Sequence, residues 1–523
     1  MFPPHWHRYL FLISLICLIS GGMFGASLFS IGQIALAANW FLEGKYISKM
    51  KQLRGNSVFW VLVSFYMWHL VGMAYTHNSS NGLADLGNKV PLLILPILFF
   101  SSKPLSNKEF NLLLHSFYVA VVLSSLYCFY VFLGYTKHVV IGARDACVFM
   151  SHIRFALFIV FAISGLVYSF INEQHKGLKL LYIIGITWLL FFIYKLELMT
   201  GFACLAAVTF TFLIVIVFKK LKKSVVVFIS LLLLSSVFIS FAVLKSHITM
   251  FDVTPHLPSN KLLTKTVNHR IYLQDTAYQL AENGTLIGIN ICDEELQNEW
   301  AKRSAIDYKN ADKKGNELRY TILHYLASKT LTKDSVGLSQ LTNQDIKNIE
   351  EGFTNHHYCS HGNIINRWRE LIWEYTKYKR GENPSGHTLT MRIEFWKTAL
   401  HIIKQQPLFG VGTGDIQDSF NAAYVETHTK LNKQWWLRCH NQYLAVTVAF
   451  GITGLFVFLF YLFYPAYQLR NHLHGLYYCF LIISLVSFLT EDTLENQAGV
   501  TFFAFFNSLF LWLAYCKQTK HLQ

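Results

Sequence analysis

The sequence predicts an all-α polytopic membrane protein, with about twelve transmembrane helices and one large, mainly helical external insert between the ninth and tenth spans. Three observations carry this prediction. The chain of 523 residues is 53% hydrophobic and only 14% charged, with positive mean hydropathy, whereas soluble domains carry about a quarter charged residues. Its apolar residues fall in blocks of roughly 17 to 25, long enough to cross a hydrocarbon core about 30 Å thick. Between the blocks, basic loops alternate with polar or acidic ones.

The expected spans are 9–22, 25–42, 57–75, 90–100, 110–133, 153–171, 178–194, 198–218, 224–244, 441–467, 475–490 and 497–515. Residues 9–42 are apolar almost throughout, well beyond a secretory h-region of about 7–15 residues. They therefore read as two helices meeting near Gly21–Ser30 rather than a cleaved leader. The fourth block starts at Pro91 and contains Pro96, which suits a tilted or re-entrant segment.

Charge sorts the connections. Lys45, Lys49, Lys51 and Arg54 share one side with Lys103, Lys108, Lys176, Lys179, the lysines at 219–223 and Arg470. The alternate loops read THNSSNG (76–82), LELMT (196–200) and TEDTLEN (490–496). The positive-inside rule places the basic loops and both termini in the cytoplasm. Residues 245–436 then lie outside as an insert holding 23 Lys and Arg against 21 Asp and Glu, so +13 of the net +15 belongs to the membrane part. The basic excess is thus topological, and no run of interleaved arginine and aromatic residues points to nucleic acid. The chain divides into an N-terminal bundle (1–244), the insert (245–436) and a C-terminal bundle (437–523). Within the insert, helical spacing recurs at 268–282, 317–329 and 364–379.

The nine cysteines form no CxxC pair. His356, His357, Cys359 and His361 are possible zinc ligands, but their spacing fits no standard site and no metal is expected. The sharper cluster collects at the outer face. His440 opens RCHNQYLAVTVAFGITG; along a helix of 3.6 residues per turn, Gly451 and Gly454 fall on its stripe, where small residues admit a close neighbour. A helix N-terminus there favours an anion and an uncharged imidazole. Arg154 stands at an outer span end and Arg392 opens an amphipathic helix. Glu491 and Asp492 close the eleventh span, and Gly410 and Gly412 lie in a turn able to form an anion-binding nest.

These residues resemble the O-antigen ligase and polymerase superfamily of bacterial inner-membrane glycosyltransferases. The ligase signature is His, then Asn, Ser or Gln, nine residues, Gly, two residues, and Gly, Thr or Tyr. Here it reads His440-Asn441, Gln442 to Phe450, then Gly451-Ile-Thr-Gly454. MRIEFWKTALHIIKQQPLFGVGTGD (391–415) looks like the family's Arg-x-x-x-Trp helix followed by Pro-Leu-x-Gly-x-Gly. The segment 318–352 looks like ligase-like proteins from Bacteroidetes. The resemblance implies a periplasmic insert and site, with an undecaprenyl-diphosphate-linked glycan as donor and lipid A–core or another glycolipid as acceptor. Membrane lipids surround the bundle, and the reaction is inverting, with no metal or other cofactor.

His440 is then the general base, and Arg392 and Arg154 neutralise the leaving diphosphate. Asn441, Gly410, Gly412, Glu491 and Lys195 line the substrate site. Relatives carry Ser-Arg-Gly where this chain has Leu198-Met199-Thr200-Gly201, which implies either that Arg154 or Lys195 takes over the phosphate contact or that donor binding is altered. A polymerase or a protein O-oligosaccharyltransferase shares this chemistry. A transporter or flippase is the alternative of another class, but no internal repeat supports it.

Overall fold

A computed structural model describes residues 3–521 apart from 139, 141–142, 221–261, 278–279, 314, 360–363 and 380. The chain forms two compact units, Met1–Ile216 with Met391–Gln523, and Val217–Thr390. Residues 391–436, expected in the insert, fall in the first of these units.

The first unit is helical. Seven helices are long and apolar enough to cross a membrane: His5–Phe24, Ser79–Phe100, Asn107–Phe132, His152–Asn172, Lys176–Lys195, Gln442–Gln468 and Gln497–Lys520. Tyr46–Arg54 and Ser57–Met73, bent by 92°, make an eighth if counted as one span. Met199–Val215 and Gly475–Thr490 are apolar but shorter. The expected count of twelve is therefore not reached by length and composition among the described residues. Gln33, Asn39 and Glu43 dilute the apolar helix Ala26–Glu43, and the expected span 224–244 lies outside the described residues. The fourth block also begins earlier than expected. Its helix starts at Ser79, where Asn78 caps Asn81 N–H, and continues past Pro91.

Lipid tails are as apolar as leucine, so contact between such helices comes from close packing. Phenylalanines supply it: the rings of Phe161 and Phe506 lie 4.4 Å apart and those of Phe158 and Phe502 4.5 Å, both edge-on. Leu180, Leu181 and Ile184 of Lys176–Lys195 point outward instead, as a lipid-facing surface requires.

The helix Gln442–Gln468 is broken. Gly451 has φ 62° and ψ −162°, a conformation closed to residues with a side chain. The loop 407–412 fills the break: Val411 and Gly412 N–H donate to the Val448 and Ala449 carbonyls (3.0 and 2.8 Å), and Ile452 N–H donates to the Pro407 carbonyl (2.8 Å). A Cβ on Gly451 would stand 2.3 Å from Leu408 C and O, and one on Gly410 2.5 Å from the Ala449 and Phe450 backbone. The stripe expected to admit a neighbouring helix thus admits an extended loop, and the straight helix expected through Gly454 does not form.

The second unit has its own core around Trp300, Leu318, Ile322, Leu326, Leu338 and Ile349. Helices Leu318–Ser328 and Ile364–Lys379 match expectation. The described residues of 268–282 do not form a helix: Leu273 pairs its backbone with Ile291 and Ala281–Glu282 pairs with Thr285–Leu286. His356 Nδ1 contacts Ser328 Oγ and Cys359 Sγ donates to the Asn355 carbonyl. His361 lies outside the described residues, and the others do not gather into a metal-ligating group among those described.

Candidate active site

Arg392, Phe395 and Trp396 are three and four residues apart, so they share one face of the helix Thr388–Gln405. Each meets a different part of the same cluster. Arg392 Nη2 donates to Glu491 Oε1 at 2.5 Å, the Phe395 ring lies 5.7 Å from the His440 ring, and Trp396 Nε1 donates to the Cys439 carbonyl at 2.9 Å. The Arg-x-x-x-Trp spacing has a local physical cause: one residue holds a carboxylate and the other fixes the peptide before His440.

His440 itself has φ 45°, in the left-handed region, where a non-glycine residue carries roughly 1–3 kcal/mol of strain. Its neighbours over-determine it. Asn441 Oδ1 accepts from Leu444 N–H (3.0 Å) as the N-cap of the following helix, while Asn441 Nδ2 donates to the Leu489 carbonyl (2.9 Å). The turned-out imidazole, 31% exposed, puts Nδ1 3.5 Å from Asp492 Oδ1 and 3.6 Å from Glu491 Oε2. These are ion-pair distances; Nδ1 makes no hydrogen bond. Nε2 has no partner among the described residues. Burial favours the neutral ring, but the Asp492 and Glu491 carboxylates outweigh it and push the pKa up to about 9. The uncharged imidazole expected from a helix N-terminus is replaced by a charged one, because two carboxylates stand closer than the helix end.

Arg154 stands within electrostatic reach of Glu491 and Asp492, without a direct ion pair to either. The sequence-expected His440, Arg392, Arg154 and Glu491 therefore come together. The other expected residues are engaged elsewhere or lie apart from this cluster. Asn441 spends both polar atoms on capping and on Leu489. The N–H groups of residues 410 to 414 are taken by Gln406, Val448, Ala449 and Gly72 carbonyls and by Thr76 Oγ1, so Gly410 and Gly412 offer no anion nest. Among the described residues, no hydrogen bond or ion pair joins Lys195 to the cluster. Gly201, in the place of the missing Ser-Arg-Gly motif, packs on Ala156.

Sequence reasoning left Arg438 unexplained and passed over Asp85, Lys89 and Glu495. Lys89 is 1% exposed, and its Nζ donates to Asp85 Oδ1 (2.6 Å) and Glu495 Oε2 (2.7 Å). Arg438 Nη1 lies 3.4 Å from the same Glu495 oxygen. Burial opposes the Glu495 charge, but Lys89 and Arg438 hold its carboxyl well below the usual carboxylate range. An acid and a lysine four residues apart at a membrane edge were a usable signal. Placing the helix start at residue 90 hid them in a loop.

His440, Glu491 and Asp492 offer ligand atoms within 4.8 Å of one another, a spacing able to hold a metal ion. Arg392 already sits on Glu491, and an ion bound there would displace the proton that the two carboxylates hold on the imidazole. The open cleft lined by Tyr75, His77, Asn78, Gln406, Asp415 and Asp418, about 810 Å³, does not include His440.

Two comparisons bear on this cluster. A family model described as O-antigen ligase matches residues 342–459, which include Arg392, Trp396, His440 and Gly451 and stop before Glu491. No curated protein matches.

Proposed function

We propose that this chain, which carries an O-antigen ligase family domain at residues 342–459, transfers a glycan from undecaprenyl diphosphate to a hydroxyl of lipid A–core or a related glycolipid. The single observation behind this reading is His440 with its Nδ1 against two carboxylates and its Nε2 unpartnered among the described residues, beside Arg392. A carboxylate behind one ring nitrogen fixes the tautomer and raises the basicity of the other. In the proposed step Nε2 takes the acceptor hydroxyl proton. The hydroxyl oxygen forms the new bond at the anomeric carbon, and the bond from that carbon to the phosphate oxygen breaks. The lipid diphosphate leaves with the electron pair, and configuration inverts. Arg154 and the remaining N–H groups of Arg392 compensate the charge that grows on the diphosphate.

The protonated state of His440 favours a second assignment of roles within the same reaction. Here the imidazolium stabilises the leaving diphosphate and Asp492, which has no arginine ion pair among the described residues, is the base. The two assignments differ in the sign of the pH dependence above neutrality.

A site on one side of a helical bundle suits the proposed setting, the bacterial inner membrane with this face toward the periplasm and both termini in the cytoplasm. A polymerase or a protein O-oligosaccharyltransferase would use the same cluster with a different acceptor, and a transporter would need no base. The test is reconstitution of the purified chain with a lipid-linked polymer and lipid A–core. Glycan captured by the core supports ligation. Lengthening of the polymer without capture overturns it in favour of polymerisation, and movement of intact donor without transfer overturns the enzyme reading.

A further inference from the structure

We infer that Glu495, gripped by Lys89, Arg438 and Gln442, is the positioning residue that sets His440 against Glu491 and Asp492. The inference rests on the proposed role of His440. Glu495 Oε2 receives Lys89 Nζ and faces Arg438, while its Oε1 receives Gln442 Nε2 at 3.2 Å. Gln442 returns the contact, since its Oε1 accepts Leu494 N–H at 2.7 Å. Arg438 and Gln442 are two residues before and two after His440. Glu491 and Asp492 lie four and three residues before Glu495. One carboxylate therefore ties both flanks of the histidine to the segment that carries its partners, and Lys89 fastens the assembly to the helix Ser79–Phe100.

The burial makes the arrangement costly to keep for stability alone. Lys89 and Asp85 are buried charges, the Glu495 side chain beside them is only 10% exposed, and Asp85 Oδ2 has no hydrogen-bond partner among the described residues. Apolar residues of like volume often stabilise as well as such a set, whereas ionic groups best earn their place by fixing register. The set is neutral in sum, two cations and two anions, so its influence on His440 is one of geometry more than of net field. A displacement of the order of 1 Å in a catalytic group lowers rate about a hundred-fold.

The test uses the full-length chain in detergent or vesicles, with lipid-linked glycan and acceptor. Glu495→Gln and Gln442→Leu are compared with wild type per folded molecule; the second leaves every charge in place and guards against a Glu495 variant that fails to fold. The expected result is a kcat ten- to a hundred-fold lower with donor KM within about two-fold, and a displaced midpoint for the pH dependence assigned to His440. Wild-type kcat and an unchanged pH midpoint in folded Gln442→Leu would overturn the inference, as would loss confined to the amount of folded protein. His440→Ala in the same assay separates the two readings. If it retains activity, the proposed role of His440 fails and the positioning role with it; if it is inactive while Gln442→Leu behaves as wild type, only the positioning role fails.

Discussion

His440 Nδ1 stands 3.5 Å from Asp492 Oδ1, across the mouth of the helix Gln442–Gln468, and this pairing sets the protonation state of the site. With the imidazole raised to about 9, the ring is charged below that pH and able to accept a proton only above it. Transfer dependent on a His440 base therefore climbs with pH toward about 9. A fall through the same range assigns the base to Asp492 and leaves the imidazolium as a charge stabiliser. A pH–kcat profile on the reconstituted protein decides between them.

Asp492→Asn removes one of the two charges that hold the proton. The midpoint of the rising limb then moves from about 9 toward the ordinary histidine value of about 6.5. A midpoint that stays in place shows that Asp492 does not govern the ring.

Arg392 sits on Glu491, which is largely buried. Arg392→Gln strands that carboxylate and is expected to cost about 2 kcal/mol of stability, discounted for partial exposure, along with a loss of transfer of about a hundred-fold. Adding Glu491→Gln recovers stability but not transfer, as thermal unfolding and turnover of the double variant would show. Recovery of both would mean that the arginine serves the carboxylate alone.

Gly451→Ala forces a side chain into backbone 2.3 Å away at a positive φ, so a loss of at least about 3 kcal/mol is expected. Gly87→Ala, where nothing lies within 4 Å, is the matched control and should be neutral or slightly stabilising. Similar melting temperatures for the two variants would contradict the broken-helix geometry.

Asn441→Ala tests whether a signature residue binds substrate or shapes the backbone. Loss of the cap costs about 1 kcal/mol, and donor KM is expected to stay within about two-fold. A large rise in KM with stability unchanged would restore the substrate-binding role.

Much of the helical frame was legible because hydropathy blocks are local properties of the chain. The block 153–171 reappears as His152–Asn172, and 475–490 as Gly475–Thr490. The cluster of Arg154, Arg392, His440 and Glu491 was legible from their shared side of the bundle. What escaped depended on backbone geometry or on partners far apart in sequence. The nine-residue gap from Asn441 to Gly451 reads as a helical stripe until the carbonyls of Val448 and Ala449 are seen bonded to residues 411 and 412. Asp85 and Lys89 looked like loop polarity because Pro91 drew the expected helix start forward. The imidazole's charge depends on two carboxylates about fifty positions away.

The most direct measurement is glycan transfer by purified His440→Ala beside wild type, with lipid-linked polymer and lipid A–core, normalised to folded protein. Loss of a general base predicts a decrease of about a hundred-fold or more, with insertion and donor binding retained. Transfer to the core at the wild-type rate by the folded variant would contradict the catalytic assignment.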